Sequence, residues 1–481
     1  MGVLYNQVAD RLQTLIQEGV YRDGDRLPGV RVLSKQFGVS ISTVLQAHQT
    51  LEARGYLQAR ERSGYFVRLP AVDAPEPVMH KHRSRPLPVT AREMTLELCA
   101  DEQKRMVPLA TATPHADYLP LRQIQQCTLW AARRGLETLD YAFPGKESFR
   151  RQIAQRMASV GVPVTPDDVL VTNGAQEAII LGLRAVTQPG DAVAVESPSF
   201  PGILQALEVV GLRAMEIPTH PSDGLSLEGL QLALEQWPLK ACVVVTNHSN
   251  PMGARMPDER KKQLVSMLAA AGVPLIEDDI YGDLYHTGER PRPAKAFDRT
   301  DNVIYCNSFS KTISPGLRLG WMLPGRYMAG ARQQKYFSNL ATSSIPQLAV
   351  AHFLEQGGYD RYLRSARQNY REATERMRAA VARSFPVGTA VSRPQGGFVL
   401  WVQLPAGVSG TRVYHRARAE NINVAPGLMF SISDKFESCL RLNGGNPWSE
   451  RIDQAIARLG ALAHEEQARS GQKNREAIVQ D

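Results

Sequence analysis

Between residues 169 and 306 five short apolar runs recur, each followed by a turn and then a helical pattern: VLVT at 169 to 172, DAVAVE at 191 to 196, ACVVVT at 241 to 246, VPLIE at 273 to 277 and NVIYC at 302 to 306. Strands apolar on both faces and separated by helix-forming stretches make βαβ units, because crossover helices cover both faces of a parallel sheet. This part of the chain is therefore expected to be α/β with a mainly parallel sheet. In such open sheets ligands bind beyond the carboxyl ends of the strands, so the residues after each run are where chemistry is expected.

The sheet does not account for the whole chain, since 481 residues exceed one compact core and imply two or more domains. Composition changes after Tyr65-Phe66-Val67, where LPAVDAPEPVMHKHRSRPLPVT is rich in Pro and basic residues and has neither a helical nor an alternating period. That pattern predicts an extended connector over about 69–92, separating a domain at 1–68 from one at 93–481. Within the latter a large subdomain is expected over about 120–340. Beyond about 345 a long charged helical segment from Tyr359 to Arg383 precedes strand candidates in FVLWVQL and CLRLN, which reads as a smaller α+β subdomain to about 465. From about His464 the polar end is expected to be frayed or a helical terminus.

Several function classes are set aside at this level. Hydrophobic residues make up 43% and charged residues 22%, and no apolar run approaches the roughly 20 residues that span a bilayer, so no membrane role is expected. The first residues, MGVLYNQVADRLQTLIQEG, lack the apolar core and cleavage site of a signal peptide, and a cytoplasmic protein is expected. The five cysteines, Cys99, Cys127, Cys242, Cys306 and Cys439, never fall in a CxxC spacing, which argues against a disulfide framework or a metal site. The net charge of +8 permits a polyanionic partner, but residues 1–68 hold nine Lys or Arg against six Asp or Glu, so charge alone does not mark a nucleic-acid domain.

Pattern does more there than charge. Residues 4 to 18 have an amphipathic helical period, and LPGVRVLSKQFGVSISTVLQAHQTLEARGY reads as helix, turn at Phe37-Gly38-Val39, helix. Ser40 is a good N-cap; Val44, Ala47 and Leu51 fall on one face of the second helix, while Ser42, Thr43 and Gln46 fall outside it. YLQARERSGYFV resembles two strands joined by a Ser-Gly turn, with Arg60 and Arg62 beside it, a plausible wing. The competing reading is a three-helix packing module. From Leu4 to Val67, however, LYNQVADRLQTLIQEG, GDRLPGVRVLSKQFGVS, TVLQAHQTLEARGYL and RSGYFV follow in the order of the GntR family of winged helix-turn-helix regulators, which this stretch resembles. The resemblance implies a double-stranded DNA operator as partner and DNA roles for Arg31, Ser40, Ser42, Thr43 and Gly64. Gly29 and Ile41 depart from the family pattern, where Ser and Arg are common.

In the second domain each predicted strand delivers a distinct group. After VLVT, Gly174, Ala175 and Gln176 open a helix whose free N–H groups suit a phosphate. After DAVAVE, Phe200 offers a ring to stack on a flat ligand. The remaining runs lead to Asn250 in NHSNPMG, to Asp278-Asp279-Ile280-Tyr281, and to Ser308, Ser310, Lys311 and Arg318 in NSFSKTISPGLRLGW. Arg441 follows in CLRLNGG. Singly, Lys311 reads equally as a solvated amine, Asp278 as a helix cap and Arg441 as a surface ion pair. Together, a phosphate cup, an aromatic plate, an Asn, an Asp-x-x-Tyr and a Lys flanked by Ser and Arg are the groups that hold pyridoxal 5′-phosphate. Lys311 would form the Schiff base, and Asp278 would keep the pyridine nitrogen protonated, a choice over Asp279 that rests on the spacing to Tyr281. Asn250 and Tyr281 suit the phenolic oxygen, Ser308, Ser310 and Arg318 the phosphate, and Arg441 an effector carboxylate.

From about Tyr141 to Asn443 the chain resembles fold-type I aminotransferases through TNGAQEA, ESPSFPG, NHSNPMG, EDDIYGDL, SFSKTISPGLRLGW and PQGGFVLWV. The resemblance implies a homodimer with the cofactor site near the subunit interface, Lys311 as the aldimine lysine, and a reach by Tyr141 toward a neighbour's phosphate site. The combination resembles the MocR subfamily, which implies a regulator that senses a small amine or amino acid through an aldimine at Lys311. A working aminotransferase carrying a regulatory DNA-binding module is the alternative, and a DNA-binding protein with a vestigial pocket is a third reading.

Overall fold

A computed structural model describes residues 4–17, 20–22, 24–53, 56–60, 64–67, 74–79, 84–90 and 106–480. They form two compact units, 1–73 and 74–481. Arg62, Ser63, Cys99 and residues 69–73, 80–83 and 91–92 of the expected connector lie outside the described residues.

The first unit has helices α1 (Leu4–Gln17), α2 (Val30–Phe37) and α3 (Ile41–Ala53), then strands β1 (Leu57–Arg60) and β2 (Gly64–Val67). The strands pair antiparallel, with Leu57 opposite Val67 and Arg60 opposite Gly64, so the expected wing is a hairpin. Val8, Leu12 and Ile16 of α1 pack with Leu33, Val44, Ala47, Leu51, Leu57 and Val67, and the apolar stripe read on α3 is buried as expected. Ser40 caps α3: its Oγ accepts the Thr43 N–H at 3.1 Å.

The second unit contains, in chain order, β3 (Leu87–Pro88), β4 (Val107–Leu109), β5 (Leu170–Thr172), β6 (Ala192–Ser197), β7 (Arg213–His220), β8 (Gly224–Leu225), β9 (Leu239–Val244), β10 (Leu275–Asp278), β11 (Val303–Ser308), β12 (Gly320–Leu323), β13 (Ala390–Val391), β14 (Val399–Gln403), β15 (Ile422–Pro426) and β16 (Cys439–Asn443). The large sheet runs β3-β7-β6-β9-β10-β11-β12-β5, with β8 beside β7. All five apolar runs are strands of it. β7, β6, β9, β10 and β11 are mutually parallel, whereas β12 is antiparallel to β11 and β5. An antiparallel neighbour needs no crossover helix, so the β11–β12 connection stays at the carboxyl edge of the sheet and carries Ser310, Lys311 and Arg318 with it.

The smaller sheet runs β13-β14-β16-β15-β4, and its apolar core includes Trp401, Tyr414, Phe430, Leu440 and Ile456. Here the structure departs from the sequence boundaries. β4 pairs parallel with β15, Val107 opposite Ile422, so the small subdomain draws on residues far before 345. The helix Ser344–Glu355 instead buries Leu348, Val350 and Phe353 in a cluster with Ile124 and Phe149 of the large subdomain. The connector is not free throughout: Ala74 is buried in the small-subdomain core, and Leu87–Pro88 is an edge strand on β7. The polar end is helical from Glu450 to Gln480; Ile456, Leu459 and Leu462 are buried in the small-subdomain core, and Glu466 is buried against Arg412. No described helix is long and apolar enough to cross a membrane.

In the first unit His48 is 1% exposed, neither ring nitrogen has a hydrogen-bond partner among the described residues, and its ring lies 4.4 Å from that of Tyr65. Burial lowers its pKa from 6.5 to about 4. The unfolded chain then binds a proton that the folded unit refuses, so the stabilisation by neutral His48 is complete above pH 6.5 and lost as pH falls toward 4. Amide exchange of peptides within 4–67 of the full-length protein should lose protection over that window, and His48→Phe should flatten the dependence; an unchanged slope in the variant would exclude His48 as its source.

Candidate functional site

The cup begins where β5 ends. Gly174 has φ +93° and opens the helix Ala175–Val186; a Cβ there would lie 2.7 Å from Nη2 of Arg318, so glycine is what lets the guanidinium approach. Arg318 itself sits at φ +47°, an uncommon conformation for a residue with a side chain. From it Nη2 donates to the Asn173 carbonyl at 3.0 Å and Nη1 to Ser310 Oγ at 3.3 Å. The Ser310 N–H in turn donates to Ser308 Oγ at 3.3 Å. Gln176 donates through its amide to the Gly202 carbonyl at 2.7 Å, which ties the cup to the turn carrying half-buried Phe200. Ala175 is buried beside them.

The floor is set by the end of β10. Asp279 is fully buried and committed: it accepts from Asn247 Nδ2 at 2.8 Å and Tyr305 OH at 2.8 Å, and pairs with Arg290 at 2.7 Å. Its neighbour Asp278 accepts only the Ile280 N–H at 3.2 Å and forms no ion pair among the described residues. Burial, only partly offset by that N–H, raises Asp278 to about 7. The two carboxylates that spacing alone left nearly equivalent are thus physically distinct. Tyr281 is buried, hydrogen-bonded with Asn250, and meets Phe398 edge-on at 5.6 Å.

Lys311 and Arg441 close the cleft. The Lys311 amine donates to the Ala112 carbonyl at 2.6 Å, and burial, with the positive charge of Arg441, lowers its pKa to about 8. Arg441 is 6% exposed on β16, donates from Nη1 to Asn250 Oδ1 at 3.3 Å and from Nη2 to the Ala110 carbonyl, and leaves Nε without a partner among the described residues. No carboxylate pairs with it among the described residues. The structure therefore joins Lys311, Asp278, Asn250, Tyr281, Arg441 and the cup into one site. These residues fit pyridoxal 5′-phosphate: a glycine-opened cup with a guanidinium, a half-buried amine, a buried carboxylate without an ion pair among the described residues, and a guanidinium with donor capacity to spare.

Tyr141 is 79% exposed and takes no part in this cleft. In the first unit Arg31, Ser40 and Ser42 are exposed and Thr43 half-buried; the Ser40 hydroxyl also meets those of Ser42 and Thr43 at 2.8 and 2.7 Å. Gly64 has φ +101°, so the wing needs glycine for its own backbone, whatever it contacts. Ile41 is exposed at the start of α3.

Sequence reasoning missed two contributions. The carbonyls of Ala110 and Ala112 come from a small-residue stretch just past β4, where no motif marks them. The scaffold beneath the floor was missed as well: Arg290 bridges Asp279 and Asp283, and Asp283 also accepts from Tyr359 and lies 3.5 Å from Arg156. The Arg290 and Arg156 cations hold Asp283 far below the usual carboxylate range despite burial. Arg290→Met leaves two buried carboxylates short of a cation and should cost about 3–5 kcal/mol in denaturant unfolding; a loss under about 1 kcal/mol would show that the network is not supporting the floor.

Residues 123–459 match the family model for class I and II aminotransferases, and residues 4–67 match that for the gntR family of bacterial regulatory proteins. The chain is 39% identical to the HTH-type transcriptional regulator YjiR of Escherichia coli (strain K12) over 96% of its own length and 98% of that protein. It is 37% identical to YdcR of the same organism over 96% and 99%. Among solved structures, a multiple substrate aminotransferase from Thermococcus profundus superposes with a TM-score of 0.73 at 26% identity, covering 79% of this chain and 96% of that one. LysN, an alpha-aminoadipate aminotransferase from Thermus thermophilus solved with N-(5′-phosphopyridoxyl)-L-leucine, gives 0.73 at 28% identity, with 79% and 96% covered. The large unit thus has the fold-type I aminotransferase architecture, and the chain belongs to the MocR-type transcriptional regulators, in which a gntR-family helix-turn-helix module precedes a class I and II aminotransferase domain.

Proposed function

We propose that this regulator binds pyridoxal 5′-phosphate at Lys311 and adjusts its hold on an operator when a small amine or amino acid enters the same cleft. The observation that carries this reading is that an amine, a carboxylate and a guanidinium share one cleft without being spent on ion pairs among the described residues: half-buried Lys311 and buried Asp278 and Arg441. Charges are not kept buried in that state without something to engage them.

When bound, the cofactor supplies an aldehyde for a primary amine and an electron-accepting ring. Lys311 is the amine, and its lowered pKa keeps part of it neutral and nucleophilic near neutrality. Asp278 would face the ring nitrogen and keep it protonated. Asn250 and Tyr281 donate to the ring oxygen. The N–H groups of Gly174, Ala175 and Gln176, the hydroxyls of Ser308 and Ser310, and Arg318 would hold the phosphate, and Phe200 would offer its ring to the cofactor. Arg441 takes the effector's carboxylate. In the first unit, Arg31, Ser40, Ser42, Thr43 and the wing backbone at Gly64 meet DNA, and a homodimer presents two such units. An effector amine taking the place of Lys311 would change charge and contacts in the cleft, and effector and DNA would then alter each other's affinity by linkage.

A working aminotransferase with an added DNA-binding module draws on the same intact residue set; sustained turnover of an amino donor with a keto acid, with no cofactor effect on DNA binding, would favour it.

Borohydride treatment of the cofactor-loaded protein should leave pyridoxyl attached after denaturation, and Lys311→Ala should abolish attachment while the fold persists; equal attachment in the variant would remove Lys311 from this role. Because only the neutral amine attacks, cofactor capture by the apoprotein should slow as pH falls through about 8, and a flat profile would contradict the assigned amine. Arg31→Ala should weaken DNA binding and lower the slope of log affinity against log salt by about one, without changing the cofactor spectrum; an unaltered salt titration would place Arg31 off the DNA.

A further inference from the structure

We infer that α3 reads thymine methyl groups and adenine edges rather than guanine, so that the part of the operator it covers is built of A·T pairs. This rests on the reading of the first unit as the DNA-binding part and names the bases that its helix accepts.

The two faces of α3 differ sharply in chemistry. Val44, Ala47, His48 and Leu51 turn into the core of the unit. The other face carries two rows of residues spaced by four, Ile41-Leu45-Gln49 and Ser42-Gln46, all exposed. Ile41 is 47% and Leu45 40% exposed. A single exposed aliphatic side chain signifies little, but these two stand on a face from which cations are missing: the helix, ISTVLQAHQTLEA, contains neither Lys nor Arg. Its carboxylate, Glu52, is turned to the wing, where Oε1 accepts the Ala59 N–H at 3.0 Å. The hydroxyls at the helix start engage one another, Ser40 Oγ lying 2.8 Å from Ser42 Oγ and 2.7 Å from Thr43 Oγ1. What α3 offers outward is therefore hydrocarbon from Ile41 and Leu45 and the amides of Gln46 and Gln49.

Cations stand elsewhere in the unit. Arg31 and Lys35 are exposed on α2, and Arg26 is exposed where its backbone bridges Phe66 of the wing. Phosphate contacts made from such positions give affinity and salt dependence but carry no sequence. In a helix-turn-helix the first turns of the second helix meet base edges in the major groove, which is where Ile41, Ser42, Leu45 and Gln46 lie.

The groove's chemistry then selects the base. Guanine shows two acceptors there, N7 and O6, and is matched by the donors of Arg or Lys. Against Ile41 or Leu45 those acceptors would be dry and unpaired, a loss that an apolar contact does not offset, and the N4 donor of cytosine fares no better. Thymine alone presents hydrocarbon in that groove, its C5 methyl, while adenine presents the N7 acceptor and N6 donor that a glutamine amide meets with both of its polar atoms. Hydrocarbon beside amide on one helix face is thus the complement of thymine and adenine.

Bound sequences are to be selected from random duplex DNA by the full-length protein, with and without pyridoxal 5′-phosphate, and by Ile41→Ala, Leu45→Ala and Ile41→Arg, all at exposed positions outside the core. The positions whose base preference relaxes in the alanine variants are expected to be thymine in the wild-type site, and Ile41→Arg to bring guanine to the position that Ile41→Ala relaxes. Replacing those thymines one at a time with uracil, which lacks only the methyl group, should weaken wild-type binding about fourfold and leave the matching alanine variant unaffected. G·C pairs at the positions that the alanine variants relax, or alanine variants that keep the wild-type preference throughout, overturn the base assignment alone. Uracil tolerated at every thymine of the wild-type site overturns it as well, and that measurement needs no variant. A wild-type protein that enriches no sequence overturns the DNA-binding reading of the first unit, and the base assignment falls with it.

Discussion

Holding half-buried Lys311 beside buried Asp278 and Arg441 without pairing them to one another is the constraint around which the large unit is arranged. Removing a charge from water costs several kcal/mol, so every other polar group in reach has to be spent elsewhere or turned toward them. Asp279 is tied down by Arg290, Asn247 and Tyr305, and Glu277 accepts the Ala294 and Lys295 N–H groups. Lys311 and Arg441 are met by carbonyl dipoles of the segment after β4, which carry no net charge to neutralise them. The groups converge from β16 and from the connections that follow β4, β5, β9, β10 and β11, all at one edge of the large sheet.

The antiparallel β12 shows how topology serves that purpose. A further parallel strand after β11 would have required a crossover helix, carrying the chain away from the carboxyl edge. The reversal keeps residues 309–319 over the cleft, and Arg318 turns back from it to Asn173 and Ser310. Edges are managed by the same economy of chain. β13 and β7, at the rims of the small and large sheets, both present backbone groups to a partner, and the connector supplies one to each. A segment that joins two units in sequence thereby acquires structural duties in the second.

Much of this was legible without coordinates. The five apolar runs, the capped α3 with its stripe of Val44, Ala47 and Leu51, and the order of Gly174, Phe200, Asn250, Asp278, Tyr281, Lys311 and Arg318 are local patterns, and local patterns survive in a one-dimensional reading because strand period, helix period and turn chemistry act over a few residues. What the sequence by itself determined is therefore the two-part make-up, the parallel sheet and the inventory of reactive groups. Tertiary structure alone decided which of Asp278 and Asp279 remains available, since that depends on Arg290 and Tyr305 arriving from other elements. It also decided that Val107–Leu109 completes the small sheet, that Ala110 and Ala112 face the cleft, and that the connector is seated on two sheet edges. Each of these is a pairing between residues far apart in the chain. Backbone carbonyls and edge N–H groups belong to every residue type alike, so no side chain announces which of them will meet.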